Sequence, residues 1–251
     1  MEAFGDVLRQ GRKAQRMSQM ALALEVGVSA RHLSFIESGR SRPSRGLVLR
    51  LADVLRLAPA ARNRALEAVG FAPVHRARSL TEPELAPVLT AMQRMLRRHD
   101  PYPGVALDAE WRLLAMNGAA RRVFAGLEVG ASVLDVLVTQ GAGAALFENW
   151  EEMAGHLAAR LRTESAAAGG LETLEVAARL LDTQAAPRRG PLPPFLHSVM
   201  QLGDARLTLL STIAQFGGAE DLTVADLRIE LFHPADEASA VVLEWMAANP
   251  A

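Results

Sequence analysis

The 251-residue chain contains no cysteine, which excludes disulfides, thiolate nucleophiles, thiol redox sensing and Cys-ligated zinc. Lysine is almost missing: Lys13 stands alone, and the rest of the basic charge is arginine, the bias of a GC-rich, bacterial genome. No run approaches the roughly 18 apolar residues of a membrane span. The N-terminus has neither the basic n-region nor the apolar h-region of a secretory signal. The expectation is a bacterial cytoplasmic protein with no membrane partner. Catalytic signatures are missing too. There is no Gly-x-Ser-x-Gly, Walker loop, His-x-x-x-His or His-Glu-x-x-His, and His99, His156, His197 and His233 are dispersed. The chain is expected to be neither an enzyme nor a metalloprotein.

What is present is a composition of 50% hydrophobic and 22% charged residues, the globular class, with enough length for two ordinary domains. The formal net charge of −1 hides a division. Residues 1–78 hold 14 Lys+Arg against 6 Asp+Glu and the remainder 13 against 22, so one piece is about +8 and the other about −9. Charge can drift along a chain by chance. A basic module joined to an acidic one also fits a phosphate-binding head and a body that avoids nucleic acid.

In the basic part, Phe4, Val7 and Leu8 recur at helical spacing up to Arg16, with Arg9, Arg12, Lys13 and Arg16 on the wet side. Ser18 can cap a second helix with Leu22 and Val26 inward, ended at Gly27. Ser29 caps a third with Leu33 and Ile36 inward, closed by Gly39. Pro43 and Ser44 open a fourth carrying Val48, Leu51, Ala52 and Leu55, and Pro59 starts a fifth that fades at Gly70. Five short helices make an all-α domain over residues 1–71. Residues 72–83 lack a period and have proline near either end, as a linker does.

The second and third helices, joined at a glycine, read as a helix-turn-helix, in which the second helix of the pair enters the major groove of duplex DNA with its N-terminal residues toward base edges. That places Ala30, Arg31, Ser34 and Phe35 on the free face following the Ser29 cap. Arg31 can bond a guanine bidentately, and Ala30 or Phe35 can pack on thymine methyls. Gln19 sits where it can bond backbone phosphate, and Arg40, Arg42 and Arg45 straddle the phosphates, adding salt-sensitive affinity without reading sequence. Arg31 and His32 could equally be solvated surface residues, and Phe35 a core residue.

Residues 84–251 form the acidic part. A helix is expected at 84–99, then short strands at 103–108 and 111–117 around Asp108-Ala109-Glu110, then a short helix from Asn117 or Gly118. Helices follow at 149–167 and 171–181, interrupted by Gly169-Gly170. Proline-rich residues 187–194 break the pattern. Runs 195–202 and 205–216 form a hairpin about Gly203-Asp204. A strand at 227–232, stopped by Pro234, and a helix at 236–246 complete an α+β domain with a mixed sheet partly covered by helices.

Gln19, Leu22-Ala23, Gly27-Val28-Ser29, Leu33, Ile36-Glu37 and Gly39 resemble the Cro/C1-type helix-turn-helix of the xenobiotic-response-element family of bacterial regulators. More narrowly, Arg31-His32-Leu33-Ser34-Phe35 and Gly39-Arg40-Ser41-Arg42-Pro43-Ser44-Arg45 are similar to the MmyB-like branch, with Gly46 where that branch carries an acidic residue. Gly46 is expected to loosen the start of the fourth helix. The body resembles the ligand-binding domain of the same regulators through His99-Asp100-Pro101-Tyr102-Pro103, Trp111 with Asn117, Asn149-Trp150, Ser211-Thr212-Ile213-Ala214, Leu227-Arg228-Ile229-Glu230-Leu231-Phe232 and Pro234-Ala235-Asp236-Glu237. Gly217-Gly218-Ala219-Glu220-Asp221 departs from the Gly-Thr-Pro-Gln-Asp usual there.

The resemblance implies a PAS-like body with an apolar cavity and a fatty-acid-like guest in place of a cofactor. Met92, Met95, Met116, Met153, Met200 and Met246 lie in the body, where methionine lines adaptable apolar sites or fills cores. Trp111 and Trp150 could wall a cavity, and Asn117, His156, Arg160 and His197 could anchor a polar head. Each also has a capping, surface or structural role open to it. The function expected is a homodimeric, sequence-specific transcription regulator, a repressor, that binds an operator and responds to an apolar small molecule. The alternative is a DNA-binding protein whose body only dimerises or caps a protein partner, as an antitoxin does.

Overall fold

The computed structural model describes residues 4–168, 170–187, 195–218 and 221–249. The chain divides into two compact units, the first built on residues 4–77 and the second holding most of the chain from Arg78 onward.

The first unit is helical: α1 (Phe4–Ala14), α2 (Gln19–Glu25), α3 (Ala30–Glu37), α4 (Arg45–Val54) and α5 (Pro59–Glu67). Its starts are set by serine caps. Ser18, Ser29 and Ser44 accept from the backbone N–H of Ala21, His32 and Leu47, each satisfying an N–H that the first helical turn leaves without a partner. Gly27 and Gly39 follow α2 and α3 at φ of 71° and 73°, a left-handed backbone that costs other residues about 1 kcal/mol or more. The inward residues Leu8, Leu22, Leu33, Ile36, Val48 and Leu51 form one core. Gly46 does not unravel α4, which begins at Arg45 under the Ser44 cap. After α5, Asn63 Oδ1 accepts from the N–H groups of Val74 and His75 while its Nδ2 donates to the His75 carbonyl. The start of the proline-bounded stretch is thereby tied to the first unit.

The second unit opens with a 3₁₀ turn (Pro83–Leu85) and α6 (Ala86–His99), then β1 (Gly104–Leu107), β2 (Leu113–Met116) and α7 (Gly118–Val123). A π turn (Asp135–Thr139) and α8 (Ala142–Leu146) lead into the long α9 (Trp150–Ala168) and α10 (Glu172–Gln184). The chain closes with β3 (Ser198–Leu202), β4 (Ala205–Gln215), α11 (Leu222–Ala225), β5 (Arg228–Pro234) and α12 (Glu237–Ala248). The strands form one antiparallel sheet in the order β2-β1-β5-β4-β3, the PAS-like arrangement, so the body is an α+β domain. β3 begins at Ser198 rather than at Phe195, and β5 runs on through Pro234, which pairs with Leu209 at the strand end. Gly169, residues 188–194 of the proline-rich stretch, and Ala219 and Glu220 of the departing loop lie outside the described residues.

Alternation along the strands sorts side chains between the sheet faces. Ala106 and Ile229 pack with Met92 and Leu96 of α6. Val105, Leu107, Met200, Leu207 and Leu209 face the larger core with Trp150, Ala154, Leu161, Leu174 and Leu181 from α9 and α10. The sheet thus carries α6 on one face. A cavity lies on the other.

Candidate functional site

In the first unit, the start of α3 is presented outward. Ala30 and Arg31 are exposed, His32, Ser34 and Phe35 are half-buried, and Leu33 and Ile36 are fully inside. The Arg31 guanidinium lies 5.4 Å from the centre of the Phe35 ring, so Phe35 is shielded by Arg31 rather than free. Arg40 and Arg45 are exposed beyond α3.

Two expected phosphate contacts are otherwise engaged. Gln19 Nε2 donates to Glu37 Oε2 at 2.6 Å, within a buried cluster in which Arg12 Nε donates to Glu37 Oε1 at 2.7 Å. Burial alone pushes the Glu37 carboxyl up, but hydrogen bonds from Arg12 and Gln19 and the charges of Arg12 and Arg9 outweigh it and hold it below the usual carboxylate range. The cluster ties α1, α2 and the end of α3 together, fixing the angle at which α3 is offered. Arg42 donates from Nε to the Val69 carbonyl at 2.8 Å and again from Nη2, and lies over the Phe71 ring. It braces the segment after α3 against the end of α5. A Cβ on Gly70, which sits at φ of 75°, would stand 2.7 Å from Arg42 Nη2 and require that guanidinium to shift.

The second unit holds a cavity of about 810 Å³ that is partly open to solvent, inside the range for small-molecule sites. Of the residues expected to hold a ligand, Trp111, Trp150, Met153, His156 and Arg160 line it, and Met116, Asn117, His197 and Met200 do not. The reasons are physical. Asn117 caps α7 and spends its amide on four backbone bonds: Oδ1 accepts from Gly104 and Ala120, and Nδ2 donates to Leu96 and Tyr102. Met200 has no exposed surface and Met116 is buried in the core beside the cavity. His197 lies edge-on to Phe195. Of the methionines, Met153 alone lines the cavity among the described residues.

The wall also includes residues for which no role was expected: Val133, Val136 and Leu137 around the π turn, Ala142, Ala145 and Leu146 of α8, Phe124, Phe195, Leu210 and Phe232. Apolar residues at 133–147 were the available signal, but their spacing fits neither a helix nor a strand for long enough to be read. Trp150 stacks on Phe147 and donates from Nε1 to Gln184 Oε1 at 2.8 Å, setting the floor of this wall.

One corner is charged. Arg160 Nη1 and Nη2 each donate to Glu230 at 3.1 Å, and its Nε donates to Glu164 Oε1 at 2.9 Å. Glu164 also accepts from Trp111 Nε1 at 2.8 Å and from Arg228. Arg228 in turn donates to the carbonyls of Asp108 and Ala109. Trp111 sits at φ of 61°, a conformation a bulky residue holds only where its surroundings enforce it. Here the Asp108 carboxylate accepts the N–H groups of Glu110 and Arg112 on either side, and Arg160 lies 4.6 Å over the indole. Burial pushes Glu164 up and Arg160 down, but their pairing prevails: Glu164 titrates below, and Arg160 above, its ordinary value. Both remain charged. Glu230 was the strand residue to notice, an acid beside Arg228 in an otherwise apolar run.

Among the described residues no cluster of ligating side chains could hold a metal ion, and no helix is long and apolar enough to cross a membrane.

Comparison with known proteins assigns both units. Residues 3–65 match a helix-turn-helix domain, and residues 88–246, well over half of the chain, match the MmyB-like transcription regulator ligand binding domain. No curated protein matches the chain. Among solved structures it is similar to the PAS domain of BvgS from Bordetella pertussis, at 16% identity over 64% of this chain and 96% of that one, with a TM-score of 0.32. With a capped, outward-facing helix in one unit and a largely apolar cavity in the other, the chain belongs to the MmyB-like transcription regulators, DNA-binding proteins that join a helix-turn-helix to a ligand-binding domain.

Proposed function

We propose that the protein is a one-component repressor of the bacterial cytoplasm that binds a near-palindromic operator as a homodimer and is switched by an apolar small molecule, of which a fatty acid is one example. The observation that carries the DNA side is the face of α3, with Ala30 and Arg31 exposed against the buried Leu33 and Ile36. Arg31 is the base reader, Ala30, Ser34 and Phe35 complete the reading face, and Arg40 and Arg45 position it on phosphates. His32 stands beside them, with Ser29 serving as the cap. A single head of this size buries too little surface for operator-grade affinity, which is the reason to expect two. The cavity of about 810 Å³ supports a sensing body over one that only dimerises or caps a protein. Ligand acts by binding one arrangement of the protein better than another.

Selection of duplexes from a random pool by the full-length protein tests this, followed by binding of the enriched sequence with and without an apolar ligand. The expected result is a two-fold symmetric motif whose affinity changes with ligand. Retention no better than that of a neutral control protein at low ionic strength overturns the DNA reading. Native mass spectrometry of the same material reads subunit count and any co-purified molecule.

A further inference from the structure

We propose that two copies of this chain pair through the outer edge of β4, Ser211 to Gln215, as antiparallel strands about a two-fold axis at Ile213. The inference rests on reading the protein as a homodimer and names the surface that joins the subunits. β4 pairs with β5 from Leu209 to Gln215, but with β3 only as far as Leu209, opposite Ser198. Leu196 and His197, next in line before β3, make no ladder with β4, and the His197 carbonyl accepts instead from Asn149 Nδ2 at 2.8 Å. Beyond Leu209, no described residue pairs with the outer edge of β4.

Which backbone groups face outward follows from the hairpin. The turn Gly203-Asp204, with Gly203 at φ of 58°, closes on the pair Leu202 and Ala205, so Ala205, Leu207 and Leu209 bond β3 and the alternate residues bond β5. The Thr208 carbonyl, accepting from the Ala235 N–H, keeps this alternation. Continued without a register shift, it turns the N–H and C=O of Ser211, Ile213 and Gln215 away from β5 and out of the sheet edge. All three residues are exposed, Ile213 at 46%. Exposed edges are ordinarily protected by charge, proline or a bulge. Leu207 to Phe216 holds no charged residue and no proline, and the β4–β5 ladder has no bulge.

The occupant that fits is a second copy. An axis at Ile213 sets Ser211 opposite Gln215 of the partner subunit and Ile213 opposite itself, so every outward N–H meets an outward C=O and the contact is the same from either side. The body is acidic, with 13 Lys+Arg against 22 Asp+Glu beyond residue 78, and an uncharged strip is where two such bodies can approach. Pairing over so short an edge buries less than the roughly 800 Å² per partner of a standard interface, so the contact is weak and two heads held on one operator complete it. Ser211 also lines the cavity, which places the subunit contact and the ligand site on one strand.

The test uses the full-length protein, which has no cysteine of its own. Sedimentation is expected to show a concentration-dependent dimer, and deuterium uptake of a peptide covering residues 210–216 should fall as concentration rises. Ile213→Lys sets an ammonium beside Glu230 within the subunit but against its own copy across the axis, and should raise the dimer dissociation constant about tenfold. Ile213→Cys should cross-link under mild oxidation, since opposed residues in a bonded antiparallel pair stand about 5.5 Å apart at Cα, within disulfide reach. Val241→Cys, exposed on α12, should not. A dimer that Ile213→Lys leaves intact, that cross-links no better through Ile213→Cys than through Val241→Cys, or whose exchange over residues 210–216 ignores concentration overturns the inference while leaving the homodimer standing. If the variants do not fold, exchange in the wild-type protein decides. A protein that stays monomeric at every concentration overturns the homodimer and the inference together.

Discussion

Each unit of this protein buries an arginine–glutamate cluster, and the two are put to different use. In the head, Arg12, Gln19 and Glu37 meet where three helices converge, with only 15% and 3% of the Arg12 and Glu37 side chains exposed. What they fix is the relation of α1 and α2 to the end of α3. In the body, Arg160 and Glu230 form part of a cavity wall, so the same chemistry lines a space rather than a helix junction. Between helices the ion pair acts as a fastener; at the cavity it forms part of the wall.

The largest effect should come from breaking the fastener. Glu37→Ala leaves the part-buried Arg12 without its carboxylate partner and Gln19 without its acceptor, a change that costs about 1–3 kcal/mol, and denaturation of the full-length protein should show a destabilised head together with weakened operator binding. Acid should act at the same point. The folded state holds Glu37 charged and lowers its pKa, so its stabilisation is complete above the ordinary carboxylate value of about 4.3 and is lost as pH falls through the depressed folded value. Glu37→Gln should remove that part of the acid response. A head equally acid-sensitive without Glu37 would mean the cluster is not its fastener.

The body's wall can be tested by crowding it. A Cβ on Gly143 would stand 2.3 Å from the Trp150 ring, so Gly143→Ala must displace an indole that is stacked on Phe147 and bonded to Gln184. Overpacking of this kind costs about 1–3 kcal/mol. Tryptophan fluorescence should shift and uptake of an apolar fluorophore should fall, with the head's transition unchanged. Normal uptake would mean that Trp150 is not needed to shape the cavity.

The two units also differ in how far their sequence discloses them. The head is built from local signals: Ser18, Ser29 and Ser44 each act within three residues of themselves, Gly27 and Gly39 stop the helices they follow, and Leu33 and Ile36 lie on the face their spacing requires. What was not legible there was the engagement of Gln19 and Arg42, because their partners, Glu37 and Val69, lie 18 and 27 residues away. In the body the strands and long helices follow from periodicity, and Trp111 and Arg160 were readable as facing a cavity. The pairing of Arg160 with Glu230 spans 70 residues and leaves no local trace beyond an acid in an apolar strand. The π turn at Asp135–Thr139 and the short α8 break periodicity where the cavity most depends on it.

On the reading face, Arg31→Ala should relax base preference at one position in each half-site, losing about 1–3 kcal/mol of discrimination there, with thermal stability lowered by no more than the exposed contact of Arg31 with the Phe35 ring supplies, about 0.5–1 kcal/mol. Affinities for a base-substituted operator series check this, and an unaltered preference profile removes Arg31 from the readers.

The smallest effect separates the arginines that follow α3. Arg40, Arg42 and Arg45 are all exposed, but the Arg42 guanidinium is held by the Val69 carbonyl and the Phe71 ring. A side chain that neutralises a phosphate releases a counterion, so its removal should lower the slope of log affinity against log salt by about one per bound head. Arg40→Ala and Arg45→Ala should each do so. Arg42→Ala should leave the slope nearly intact and cost the head roughly 1 kcal/mol of stability through its lost carbonyl bonds. A flattened slope for Arg42→Ala, equal to that of Arg45→Ala, would mean that Arg42 leaves Val69 for phosphate on binding, and that the brace seen in the free protein is a resting position.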